Sequence, residues 1–141
     1  VKQGTDLHTS SLVQLLAARF MLDHDLEAHI ARIRDVYRKR RDAMLAALEV
    51  YFPENISFTR PAGGLFLWVE LPEGTDARYL LERALEEKVA FVPGESFFPG
   101  GGHENTLRLN FSAMPEDRIT EGIRRLGRVL SSVTADNLAA V

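Results

Sequence analysis

Apolar spacing changes period at Pro53, and that change most constrains the fold. Before it, Leu26, Ile30, Ile33, Tyr37, Met44, Leu45 and Leu48 recur at the 3.6-residue period of an amphipathic helix, which predicts a long helix from about Asp25 to Tyr51. Proline lacks the amide hydrogen that a helix interior needs, so the run closes there. After it, Ile56-Ser57-Phe58-Thr59 alternates with period two, as a half-buried strand does. A chain that switches in this way has to bury helix stripes against a sheet face.

The same reading extends in both directions. Thr9-Ser10-Ser11 offers a cap for a helix to about Leu22, with Leu12, Leu15, Leu16, Arg19 and Phe20 at helical spacing, and Asp23-His24-Asp25 interrupts it. Pro61 to Gly64 predict a turn. Leu65 to Leu71 predict a strand with apolar residues on both faces, which suits a central position. Pro72-Glu73-Gly74 lead into a helix capped by Thr75 or Asp76, with Tyr79, Leu80, Ala84 and Leu85 as its expected buried stripe. Val89–Val92 predict a short buried strand, Pro93–Gly102 a loop with four glycines, and Thr106–Phe111 a last strand. Pro115 suits a first helical position, and Ile119, Ile123, Leu126 and Leu130 space out a final helix. The expectation is an α/β fold of order ααββαββα: a small mixed or antiparallel sheet of about four strands with helices packed on it. Residues 1–22 read as a connecting segment and helix, 23–131 as a domain, and 132–141 as a flexible tail.

Composition excludes several classes of function. The 141 residues suit one domain, with 45% hydrophobic and 26% charged residues, as in an ordinary globular protein. A net charge of −3 gives no overall attraction to nucleic acid or to an anionic membrane, so neither is an expected partner. There is no cysteine, hence no disulfide frame or thiolate metal site. No apolar run approaches the ~20 residues of a membrane span. The opening residues show no signal-peptide pattern, so a cytoplasmic location is expected.

Arg108 is the candidate for chemistry. In Thr106-Leu107-Arg108-Leu109-Asn110-Phe111, the residues Leu107, Leu109 and Phe111 share one strand face while Arg108 and Asn110 share the other. An arginine fixed on a strand presents a planar fork of donors that matches a carboxylate bidentately, which a lysine cannot do. The alternative is an arginine on a half-solvated sheet face.

The segments around it carry a resemblance. Arg60-Pro61-Ala62-Gly63-Gly64-Leu65-Phe66-Leu67-Trp68-Val69-Glu70-Leu71-Pro72, then Val89-Ala90-Phe91-Val92-Pro93-Gly94-Glu95-Ser96-Phe97-Phe98, then Ser112-Ala113-Met114-Pro115-Glu116 and Glu121-Gly122-Ile123-Arg124-Arg125-Leu126-Gly127 follow in an order and spacing that resembles the C-terminal part of class I/II, fold-type I aminotransferases. The branch acting on 2-aminoadipate, aromatic or branched-chain amino acids is the most similar, and the resemblance runs to about Leu130. It implies a small domain that closes over the active site when substrate binds, with pyridoxal phosphate as the cofactor of the intact parent. It implies amino-acid and 2-oxo-acid substrates, a preceding cofactor domain, a homodimer, and a role for Arg108 in gripping the substrate α-carboxylate. The family's Schiff-base lysine should lie upstream of Val1, since Lys2, Lys39 and Lys88 all stand in other contexts. No residue here is therefore expected to be catalytic or to bind the cofactor, and the chain alone is expected to be inactive.

Other features admit simpler readings. Asn110 could orient neighbours or be a plain polar sheet residue. Gly63-Gly64 suits either close backbone approach or a turn, and Pro93–Gly102 either a lid or a surface loop. Arg32, Arg34, Arg38, Lys39, Arg40 and Arg41 could form a nucleic-acid-binding helix, but they lack interleaved aromatics and have Glu27, Asp35 and Asp42 nearby, as a solvated helix face does. His8, His24, His29 and His103 have no metal-ligand spacing, so no metal is expected. A free-standing amino-acid-binding regulatory module would share Arg108 with the aminotransferase reading.

Overall fold

The computed structural model describes residues 1–139 and divides the chain into two compact units, Val1–Asp35 and Val36–Val141. The first contains a short helix α1 (Lys2–Thr5) and helix α2 (Ser11–Asp23). Ser10 is the N-cap of α2 but makes no side-chain cap bond, and Gln14 donates instead to the Thr9 carbonyl at 2.7 Å. The apolar residues of α2 are spaced as expected, yet none of the helix is buried. Helix α3 (Leu26–Tyr51) begins where Asp25 Oδ1 accepts the Ala28 amide at 2.9 Å.

The second unit is a four-stranded sheet with helices on one face. Its strands are β1 (Ser57–Phe58), β2 (Phe66–Glu70), β3 (Val92–Pro93) and β4 (Thr106–Asn110), in the order β1-β2-β4-β3, antiparallel throughout. Leu67, Val69, Leu107, Leu109 and Phe111 point into a core closed by Met44, Ala47 and Leu48 of α3, Ala77, Leu80 and Ala84 of α4 (Ala77–Glu86), and Ile119, Ile123, Leu126 and Leu130 of α5 (Glu116–Ala139). The expected α/β architecture is therefore present, with α1 added at the front and the sheet purely antiparallel.

Local corrections have physical causes. Leu80 and Ala84 are buried as expected, but Tyr79 and Leu85 are exposed, and Ala77 with the half-buried Leu81 completes the packed stripe of α4. The helix starts after Asp76, whose side chain accepts the Arg78 amide at 2.7 Å. The predicted strand Val89–Val92 is reduced to Val92–Pro93 because its first residues are taken by the exit from α4. There Lys88 N–H donates to Leu85 and Val89 N–H to Ala84, the paired bonds of a Schellman turn, with Lys88 in the left-handed region at φ 60°. Strand β2 is central, but its outer face is not buried, and Phe66 is 37% exposed. The segment expected to be a tail from residue 132 is helical to Ala139, and residues 140–141 lie outside the described residues.

Among the described residues, helix α5 carries the most perturbed carboxyl group. Glu121 accepts from Arg124 Nε and Nη2, both at 2.8 Å, and from Arg125 Nε at 2.7 Å. Its hydrogen bonds to Arg124, then to Arg125, hold its carboxyl down from 4.5 to about 2. A carboxyl depressed in the folded state adds stability that is complete above its unfolded value and is lost as pH falls through the folded value. Urea midpoints measured from pH 6 to pH 2 should therefore fall more steeply in the wild type than in Glu121→Gln, with the wild-type advantage shrinking below about pH 4.5. Added salt should narrow the gap.

Candidate functional site

The open face of the sheet, opposite the helices, carries the site. Register places Trp68 of β2 and Val92 of β3 directly across from Arg108 of β4, so the three form a row on that face. The alternation anticipated for β4 is present: Leu107 and Leu109 are buried, whereas Arg108 is half-buried.

Two aromatic rings enclose the Arg108 guanidinium. Its carbon lies 4.0 Å from the Phe66 ring centroid and 4.3 Å from that of Phe97. Both distances are well inside the ~6 Å limit for attraction between a cation and a ring quadrupole. Arg108 Nε is buried without a hydrogen-bond partner, and among the described residues no carboxylate pairs with the group. A cation with covered faces and no acid partner is suited to receive an anion along its edge.

Phe97 reaches this position from a segment expected to be a plain loop. A 3-10 turn, Gly94–Phe97, follows β3 directly. Gly94 lies so close to the sheet that a Cβ there would come within 1.8 Å of Thr106 Oγ1 and 2.9 Å of the Trp68 ring. Glu95 pairs with Arg78 of α4. Trp68 meets Phe97 edge-on at 5.4 Å and Phe98 at 6.2 Å, and Phe98 stacks on His103 at 3.8 Å. Thr106 Oγ1 closes the segment by donating to the His103 carbonyl at 2.8 Å. The loop is tied through Gly94 and Glu95 as well as Phe97 and Phe98, where its sequence alone suggested only the two phenylalanines as anchors.

The other candidates resolve into structural roles. Asn110 Oδ1 accepts the amides of Ser112 and Ala113 at 2.8 and 3.1 Å, so Asn110 orients the exit from β4. Arg40 donates to the Ser112 carbonyl, and Arg41 to the carbonyls of Pro61 and Ala62 and to Asp42. Part of the basic run thus braces the turns around the sheet. Lys2 bonds to Asp6 and Thr9, Lys39 is exposed on α3, and Lys88 occupies the turn after α4. None of the three belongs to the strands or the turn around Arg108. Among the described residues no cluster of His, Asp and Glu could hold a metal, and no helix is long and apolar enough to cross a membrane. The aromatic partners of Arg108 went unrecognised in the sequence. Trp68 and Phe66 had a signal, since alternation through β2 puts both on the face opposite Leu67 and Val69. Phe97 had none, because its approach depends on the Gly94 contact.

A family model for "Aminotransferase class I and II" matches residues 2–126. The chain belongs to that family. It is 49% identical to a 2-aminoadipate transaminase from Thermus thermophilus over 95% of its own length and 34% of that protein's. It is 45% identical to aromatic-amino-acid aminotransferase 1 from Thermococcus litoralis over 92% of its own length and 31% of that protein's. Among solved structures, it resembles an α-aminoadipate aminotransferase from Thermus thermophilus complexed with N-(5'-phosphopyridoxyl)-L-leucine, with a TM-score of 0.86, 49% identity, and coverage of 95% of this chain and 34% of that one. The chain spans about a third of the length of these relatives.

The Gly94 contact can be checked directly. Gly94→Ala forces its new methyl group into Thr106 and should destabilise the fold by about 1–3 kcal/mol, as overpacking does. Gly100→Ala meets nothing within 4 Å and should stay within about 0.5 kcal/mol of wild type in the same urea titration.

Proposed function

We propose that residues 23–131 are the small domain of an aminotransferase that moves an amino group between an amino acid and a 2-oxo acid, and that Arg108 grips the substrate α-carboxylate. The observation that carries this is the Arg108 guanidinium itself: held on a central strand, in contact with two aromatic rings, and free of any acid partner among the described residues. Amino acids and 2-oxo acids share the α-carboxylate, so one fixed fork serves both directions of transfer while the side chain varies. The rings displace water from the guanidinium faces, and hydrogen bonds to its edge are stronger for that loss.

Pyridoxal phosphate is the proposed cofactor of the intact protein, bound by residues outside this chain. Supporting this are the family, the phosphopyridoxyl compound in the similar structure, and the contexts of Lys2, Lys39 and Lys88. The relatives also favour substrates in the 2-aminoadipate and aromatic branch. A homodimeric assembly in the cytoplasm, with a cofactor domain preceding this one, completes the proposal. On this reading the chain alone is inactive. Mixed with pyridoxal phosphate, an amino acid and a 2-oxo acid, the 141-residue chain should give no turnover above free cofactor, and turnover would overturn the division of labour.

In the intact protein, Arg108→Ala should lower kcat/KM for every amino acid by roughly 30- to several-thousand-fold, the ~2–5 kcal/mol cost of truncating one side of a buried charge pair. Arg108→Lys should recover only part, because it keeps the charge and loses the fork. An amine lacking the carboxylate is the control. If Arg108→Ala harms it equally, Arg108 does not hold the carboxylate.

A further inference from the structure

We infer that Phe66 and Phe97 are positioning residues for Arg108, a two-ring clamp that sets the plane of the guanidinium and leaves one edge of it for the ligand. The inference rests on the carboxylate-gripping reading of Arg108 and names what makes that grip specific.

An arginine side chain is long and flexible, so a site that uses its fork has to hold it. The common way is an acid partner, as Glu121 holds Arg124 and Arg125. That solution occupies the same N–H groups that a substrate carboxylate needs. Rings act on the faces and spare the N–H groups, which lie in the guanidinium plane. The two ring centroids lie 4.0 and 4.3 Å from the guanidinium carbon, so both rings are in contact with the group. Nε is buried without a partner, which leaves the Nη groups as the donors open to a ligand.

The halves of the clamp come from separate elements. Phe66 opens β2 and pairs with Asn110, which sets it diagonal to Arg108 on the same face. Phe97 is brought over from the opposite side by the turn that Gly94 seats on Thr106 and Trp68. Both rings keep more than a third of their surface exposed, at 37% and 40%. Aromatic residues placed only for core packing would be buried more deeply. Their common neighbour is the Arg108 guanidinium.

The test uses the intact protein with one amino acid and one amine lacking the carboxylate. Phe97→Leu keeps an apolar residue but removes the ring. It should raise KM for the amino acid about tenfold, change kcat less than about threefold, and leave the amine unaffected. Phe97→Tyr restores a ring face and should return KM to within about twofold of wild type. On an Arg108→Lys background, Phe97→Leu should add less than about twofold, because no guanidinium plane is left to orient. Phe66→Leu, measured the same way, provides the second arm should Phe97→Leu not fold. Equal losses on amine and amino acid, or an undiminished effect on the Arg108→Lys background, would overturn the clamp. The underlying reading fails differently: there, Arg108→Ala itself does not distinguish amine from amino acid. If Arg108→Ala does distinguish them while both ring variants behave as wild type, the clamp alone is wrong.

Discussion

The antiparallel register of β2 against β4 is the constraint on which the rest of the second unit depends. It pairs Leu67 with Leu109 and Val69 with Leu107 on the core side, and Trp68 with Arg108 on the other. Because side chains alternate with period two, a slip of one residue would turn Arg108 toward Leu80 and Leu126 and bring the leucines out to solvent. Burying an unpaired guanidinium costs several kcal/mol, so the hydrophobic pattern and the charge reject the slip together. The same register that closes the core therefore places the cation. The contacts at the ends of the strands reinforce it: Phe111 N–H donates to the Leu65 carbonyl at 3.1 Å, and Leu71 N–H to that of Asn105 at 2.8 Å.

The arginines of this unit divide by how their donors are used. Arg40 and Arg41 donate to backbone carbonyls, which fixes the turns at Ser112 and Pro61-Ala62, and Arg41 also pairs with Asp42. Arg124 and Arg125 donate to Glu121, a surface arrangement that salt screens and acid dissolves, and Arg125 also reaches the Glu87 carbonyl. Arg108 has its guanidinium against the rings of Phe66 and Phe97 and has no acid partner among the described residues. Guanidinium chemistry permits all three uses because faces and edge are chemically distinct. Lysine, a point charge on a stem, could serve the surface pairs and neither of the others well.

The elements were legible in the sequence wherever burial had a period. The α3 stripe through Met44 and Leu48, the α5 stripe from Ile119 to Leu130, and the two faces of Thr106–Phe111 all follow from spacing and match the observed core. Arg108 was legible as well, since a cation between Leu107 and Leu109 can only face away from them. Legibility ended where a contact spans the chain. Val89 looked like a strand residue because its pattern carries no sign that a left-handed Lys88 has drawn its amide back to Ala84. Phe97 looked like a loop residue because the contact that seats its turn joins Gly94 to Thr106, twelve positions along. Single-residue chemistry in this site could be read locally, while the geometry that tunes it could not.

The two units differ in how far they satisfy their own apolar residues. In Val36–Val141 each core strand is covered by helix residues, and the large side chains left outside include Phe66 and Phe97, which contact the Arg108 guanidinium. In Val1–Asp35, α2 carries Leu12, Val13, Leu15, Leu16, Phe20, Met21 and Leu22 around its whole circumference, all exposed. A helix apolar on every side is one that folded proteins enclose rather than leave at a surface. This contrast agrees with a family in which the matching stretch makes up about a third of each protein. The surroundings of Arg108 lie within a unit that closes its own core, and β2, β4 and the Gly94 turn set them locally.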